Sequence, residues 1–137
     1  MAFTGNYTCN SFKSGLIHGD FDFDTNTIKM ALYTNAATLD EDTAAYTTTG
    51  EVSASGYTAS GVTLTVEKGI ADNTAFISFE NVTISATFTA RGALIYKDGG
   101  SNPAICVLDF GSDKTSTATF TVTFPTASSA DALIRLS

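Results

Sequence analysis

The stretch "RGALIYKDGGSNPAICVLDFGS", residues 91–112, decides how this chain is read. Ala93, Leu94, Ile95 and Tyr96 are apolar or aromatic at successive positions, and so are Ala104, Ile105, Cys106, Val107 and Leu108. A strand with one wet face alternates, so two unbroken apolar runs predict strands covered on both faces. Between them, "KDGGSNP" has turn chemistry: Gly99 and Gly100 accept positive φ, and Pro103 forces an extended restart after Asn102. The expected object is a hairpin at the centre of the main sheet. Arg91 and Asp109 are expected as isolated charges near strand ends, and residues 109–111 as a strand end followed by a turn.

Outward from the hairpin, most segments alternate. "STATFTVTFP" sets Ala118, Phe120, Val122 and Phe124 against Thr117, Thr119, Thr121 and Thr123, a half-exposed antiparallel strand ended by Pro125. "VTISATFTA" sets Val82, Ile84, Ala86 and Phe88 against threonines and a serine. "TIKMALYT" puts Ile28, Met30 and Leu32 opposite Lys29, Ala31 and Tyr33, "GVTLTVEKG" aligns Val62, Leu64 and Val66, and "TAFISFE" aligns Ala75, Ile77 and Phe79. A last short strand is read in "ALIRLS". The main helix signals lie in "NSFKSGLIHG", where Asn10 or Ser11 can cap, Phe12, Leu16 and Ile17 share a face, and Gly19 stops the helix. Gly15 inside it costs about 1 kcal/mol relative to Ala, so this helix needs packing to persist. A helical turn is also expected in "TLDEDTAAY", where Thr38 and Glu41 have capping-box spacing. Seven to nine strands without βαβ alternation predict one all-β domain, an antiparallel β-sandwich or jelly-roll-like fold. Residues 1–19 form an N-terminal arm or helix and residues 20–137 the β-sandwich.

Composition narrows the function classes. Only 15% of the 137 residues are charged and 23 are Thr, against about 25% charged in an average soluble protein. Hydroxyl-rich, low-charge faces are cheap to desolvate, which suits a subunit that associates with itself or with neighbours. The net charge is −7, and the 7 basic residues are scattered singly, so nucleic acid is not an expected partner. No 18-residue apolar run is present for a membrane span, and "MAFTGNYTCN" lacks the features of a signal peptide, so synthesis in a cytoplasm is expected. Cys9 and Cys106 are expected as buried free thiols in a reducing compartment. "NYT" and "NVT" match the glycosylation sequon by chance on this reading.

Candidate chemistry is sparse. His18 is the sole histidine, set at the end of the arm helix where a cation is ordinary dipole chemistry, and no G-x-S-x-G elbow accompanies it. "DFDFD" opens with the Asp20, Asp22, Asp24 spacing of an EF-hand loop, but Thr25 and Ala31 stand where Gly and a bidentate Glu are required. A strand with three carboxylates outward and Phe21 and Phe23 inward accounts for the pattern. With no Trp and five Tyr, an aromatic platform for carbohydrate is not expected. No catalytic residue, metal or cofactor is assigned.

The run at residues 87–125, "TFTARGALIYKDGGSNPAICVLDFGSDKTSTATFTVTFP", with the start "MAFTGNYTCNSFKSGL" and the closing "ALIRLS", resembles a group of small virion proteins of tailed bacteriophages. The shared pattern is an "ARxALIY" strand, a short polar loop, a "VLDFGSD" strand and a Thr-rich strand ending near "FP". Residues 47–61, "TTTGEVSASGYTASG", carry the least of it. The resemblance implies a non-enzymatic capsid decoration, or cement, protein: a small β domain that forms homotrimers and sits on the major capsid protein where capsomers meet. The alternative it leaves open is a neck, tail or fibre-adaptor protein of the same virion. Either way the protein resides in the virion and is made in the host bacterial cytoplasm. The arm, residues 1–18, would then reach a partner through Phe3, Tyr7, Phe12, Leu16 and Ile17, unless it docks on its own sandwich.

Overall fold

Along the chain run β1 (Tyr7–Thr8), α1 (Asn10–His18), β2 (Thr27–Tyr33), β3 (Val62–Thr63), β4 (Val66–Ala71), β5 (Thr74–Phe79), β6 (Val82–Ile84), β7 (Phe88–Asp98), β8 (Ala104–Ser116), β9 (Phe120–Val122) and β10 (Ile134–Leu136). The structure is a computed structural model and describes residues 3–137, so Met1 and Ala2 of the expected arm lie outside the described residues. The strand pairs are antiparallel and form three sheets, ordered β1-β8-β7-β2-β3, β10-β5-β4 and β6-β9. This is an all-β domain with one short helix.

The hairpin of β7 and β8 lies inside the five-stranded sheet, as its unbroken apolar runs require. On one face Leu94, Tyr96 and Val107 pack with Ala31, Tyr33, Leu39, Phe3 and Cys9. On the other, Ala93, Ile95 and Ile105 pack with Met30, Leu32, Phe79, Val122 and Phe124. The first core is closed by the N-terminal segment and the long excursion between β2 and β3, the second by the two smaller sheets. Each large side chain that is fully buried here contributes about 1.5–3 kcal/mol. The turn is built as its residues suggest: Gly99 and Gly100 have φ of 140° and 62°, and Asn102 at φ 52° accepts the Gly99 N–H on its side chain at 2.8 Å.

Several local expectations are corrected. β2 is buried on both faces, because Ile28, Met30 and Leu32 enter the second core while Ala31 and Tyr33 enter the first. Residues 62–66 do not form one strand: β3 pairs with β2, and the chain then crosses to the three-stranded sheet as β4. Ala75 is exposed, while Phe79 is buried. The alternating run at residues 116–124 is also broken. Ser116 ends β8 with its hydroxyl donating to the Ala86 carbonyl at 2.6 Å, Ala118 is exposed, and only Phe120–Val122 pairs, with β6. Arg91 and Asp109 are not isolated; they form an ion pair with Nε 3.0 Å from Oδ1. Residues 109–111 are no strand end either, because β8 bulges there and continues to Ser116.

Two further expectations fail on polar grounds. Residues 38–46 hold no helical turn; Asp40 instead makes a tight turn, accepting the Asp42 N–H on its carboxylate while the Thr43 hydroxyl accepts the Asp40 N–H. Residues 20–24 form a turn, not a strand: the Asp22 carboxylate accepts the Asp24 N–H, and the Asn26 side chain accepts the Asp22 N–H. Both are Asx-type local competitors of regular structure. Phe21 and Phe23 do face inward, packing edge-on against Phe12 with centroids 5.0 and 6.0 Å away.

Candidate interaction surface

The helix α1 is placed by contacts at both ends. Cys9 is its N-cap residue and makes no side-chain cap. The two expected caps act elsewhere: Asn10 donates to the Asp42 carboxylate at 2.8 Å, and the Ser11 hydroxyl donates to the Ala104 carbonyl at 2.8 Å. They fix the helix to the Asp40 turn and to the main sheet. Gly19 closes the helix in the left-handed conformation, as expected. Gly15 has a packing reason, since a Cβ there would come within 2.5 Å of the Phe21 ring.

The described part of the N-terminal segment is docked, not projecting. Phe3 and Phe12 are buried in the chain's own cores, and Tyr7 is half-buried beside them with its hydroxyl 2.7 Å from that of Thr4. Leu16 and Ile17 remain at the surface, 39% and 85% exposed. His18 is exposed in the last helical turn. Among the described residues no group of three His, Cys, Asp or Glu side chains converges on one point.

Leu16 opens onto a groove that the sequence reading did not assign. It runs between α1 and the three-stranded sheet in two contiguous parts of about 410 and 550 Å3, which share Phe12, Leu16, Ile134 and Leu136. Phe23, Ile70, Phe76 and Ile77 complete the more apolar part. Of the four large hydrophobic residues exposed among the described residues, Leu16, Ile70 (76%) and Leu136 (61%) line this one groove. Single exposed aliphatic side chains are ordinary; three around one concave apolar surface make this groove the candidate interaction surface. Gly69 contributes by absence, because a Cβ there would lie 2.8 Å from the Phe76 ring and push it off β4. At the rim Lys68 pairs with Asp24 at 2.7 Å, and that carboxylate pushes the ammonium pKa up. Ile70 and Leu136 were legible only as apolar residues in "VEKGIAD" and "ALIRLS"; nothing local says that β4 and β10 meet the helix.

A second concentration of polar groups surrounds Glu51, half-buried in the excursion between β2 and β3. Its carboxylate accepts from the hydroxyls of Tyr46 (2.5 Å) and Tyr57 (2.7 Å) and from the Ser60 N–H (2.8 Å). Tyr57 in turn accepts the buried Leu32 N–H at 2.9 Å, Tyr96 donates to the Ser60 carbonyl, and Tyr33 donates to the Thr47 carbonyl. Burial pushes the Tyr96 phenol up to about 12, with nearby carboxylates adding to it, and burial raises Tyr33, Tyr46 and Tyr57 further. All four stay protonated and donating at neutral pH. Each of these groups has its partner within the chain, so the cluster clamps residues 46–60 onto β2 and β7. Four of the five tyrosines belong to it.

No protein-family model, curated protein or solved structure matches this chain.

Proposed function

We propose that this chain is a non-enzymatic structural protein of a tailed-phage virion, a capsid decoration (cement) subunit that assembles as a homotrimer and docks on the major capsid protein. The observation that carries this reading is the exposed apolar groove lined by Leu16, Ile70 and Leu136, a surface suited to contact with another polypeptide. The resemblance of residues 87–125 to small virion proteins supplies the biological setting. Two other features agree with it. The outer faces of the β6–β9 and β7–β8 pairs carry threonine ladders, with Thr89 and Thr115 hydroxyls 3.0 Å apart and Thr83 and Thr121 3.4 Å apart, so neutral hydroxyls meet any neighbour. The net charge of −7 suits the outside of a shell better than a lumen filled with nucleic acid.

The test is the stoichiometry of this chain in purified particles, measured by gel densitometry against the major capsid protein. One copy per capsid subunit, or one per few, is the expected result. A copy number of a few tens or fewer would overturn the decoration role in favour of a neck, tail or fibre-adaptor protein. Light scattering of the purified chain tests the trimer separately.

A further inference from the structure

The chain is acidic, with 14 Asp and Glu against 7 Lys and Arg, and the groove inverts that balance. Lys13 and Arg135 line one part and Lys68 the other, while no Asp or Glu lines either. Lys68 already has Asp24. Lys13 and Arg135 have no carboxylate within 4.0 Å among the described residues; Lys13 donates to the Asn10 side-chain oxygen and Arg135 to the Ala130 carbonyl. Two cations without an anionic partner, beside an apolar floor, on an otherwise acidic chain, define the charge of whatever covers them.

The groove also runs along β10, an edge strand. β5 pairs with one side of β10, and no described strand pairs with the other. Such an edge offers free N–H and C=O groups to an added strand, with backbone hydrogen bonds supplying affinity and alternate side chains supplying specificity.

We propose that the groove takes an extended segment of a partner polypeptide in which apolar side chains alternate with carboxylates. The apolar side chains enter between Leu16, Ile70 and Leu136, and the carboxylates meet Lys13 and Arg135 where the segment passes the edge of β10. A second copy presenting the same face about a two-fold axis fits less well, because like patches meet in such contacts and cation would oppose cation. The inference deepens the structural-subunit reading and rests on it in taking the groove as a docking face.

The test uses the full chain and two fluorescein-labelled synthetic peptides, one alternating Val or Leu with Asp and one with Lys in place of each Asp, followed by fluorescence anisotropy. The acidic peptide is expected to bind at least tenfold more tightly than the basic one. The double variant Lys13→Glu/Arg135→Glu should reverse that preference, and Ile70→Ser should weaken both peptides at least tenfold, each variant keeping the parent circular dichroism spectrum. Equal binding of the two peptides, absence of binding, or unchanged preference in the charge-reversed variant would overturn the proposal. So would sedimentation showing the groove closed by self-association that Leu136→Ser dissolves. Failure here leaves the particle stoichiometry free to support a decoration role, and a low copy number leaves peptide binding intact, so the two readings fail separately.

Discussion

Arg91 on β7 and Asp109 on β8 hold each other across the largest irregularity in the main sheet. Gly92 pairs with Asp109 and Ala90 with Lys114, so a short step on β7 faces a longer one on β8 and residues 110–113 bulge outward. The Arg91 Nε–H donates to Asp109 Oδ1 at 3.0 Å, and the same oxygen accepts the Gly111 N–H at 2.8 Å, with Gly111 at φ 84°. The ion pair thus fixes the bulge as well as the two strands.

Burial pushes the Asp109 carboxyl up, but Arg91 and the Gly111 N–H outweigh it and hold the pKa below the usual carboxylate range. A group held low in the folded state adds stability above its unfolded pKa, near 3.9, and that stability is lost as pH falls through the folded value. Both side chains are only about a tenth exposed, 12% and 11%. Asp109→Asn is expected to cost about 2 kcal/mol at pH 7 in urea unfolding. The gap between parent and variant should narrow below about pH 4; a gap that persists at lower pH would refute the assignment.

Tyr57→Phe removes the acceptor of the buried Leu32 N–H and one donor to Glu51. The expected loss is about 2 kcal/mol, read as a lower urea midpoint at unchanged slope. Tyr7→Phe is the control, since its hydroxyl bonds only the exposed Thr4, and its effect should stay within about 0.5 kcal/mol.

Gly61→Ala should fail to yield soluble protein. Gly61 has φ 89°, and a Cβ there would stand 1.9 Å from the Met30 carbonyl oxygen, on backbone that cannot move without breaking the β2–β3 pair. Gly100→Ala, at φ 62° with nothing within 4 Å, isolates the conformational cost alone and should lose only about 1–2 kcal/mol. Equal losses at the two sites would show that the close approach at Gly61 is unimportant.

Both thiols should be silent to a disulfide reagent in the native protein at pH 8 and both should titrate in denaturant. Burial raises the Cys9 pKa to about 12, with the Asp40 charge adding to it, and burial raises Cys106 as well. The thiolate is the reacting form, so native reactivity requires opening of the core. A fast native phase would place one cysteine outside it.

The central hairpin was legible because its evidence is local: unbroken apolar runs, two glycines and an Asn-Pro step. So were the helix stop at Gly19 and the inward Phe21 and Phe23. Breaks at residues 64–65, 85–87 and 117–119 were not, because alternation continues through them while the chain changes sheets, and a period of two says nothing about which sheet a strand joins. The Asp22 and Asp40 turns were missed because a short carboxylate can bond its own backbone, which competes with strand and helix patterns alike. Of the contact residues expected on the arm, Leu16 reaches the groove, Phe12 lines its floor from within the core, and Phe3 lies inside the other core. Ile70 and Leu136, which complete the groove, are brought to α1 by tertiary packing alone.

The pairing of β1 with β8, Tyr7 to Val107 and Thr8 to Cys106, sets an order of events during synthesis. β1 leaves the ribosome long before its partner β8, and β2 likewise waits for β7. Among the described residues only the β4–β5 and β7–β8 hairpins close locally. A topology so rich in distant pairings folds late and slowly, on the scale of milliseconds to seconds. Until then Phe3, Met30 and Leu32 stay open to solvent, and with only 15% charged residues the nascent chain has mainly its threonine hydroxyls to keep it hydrated.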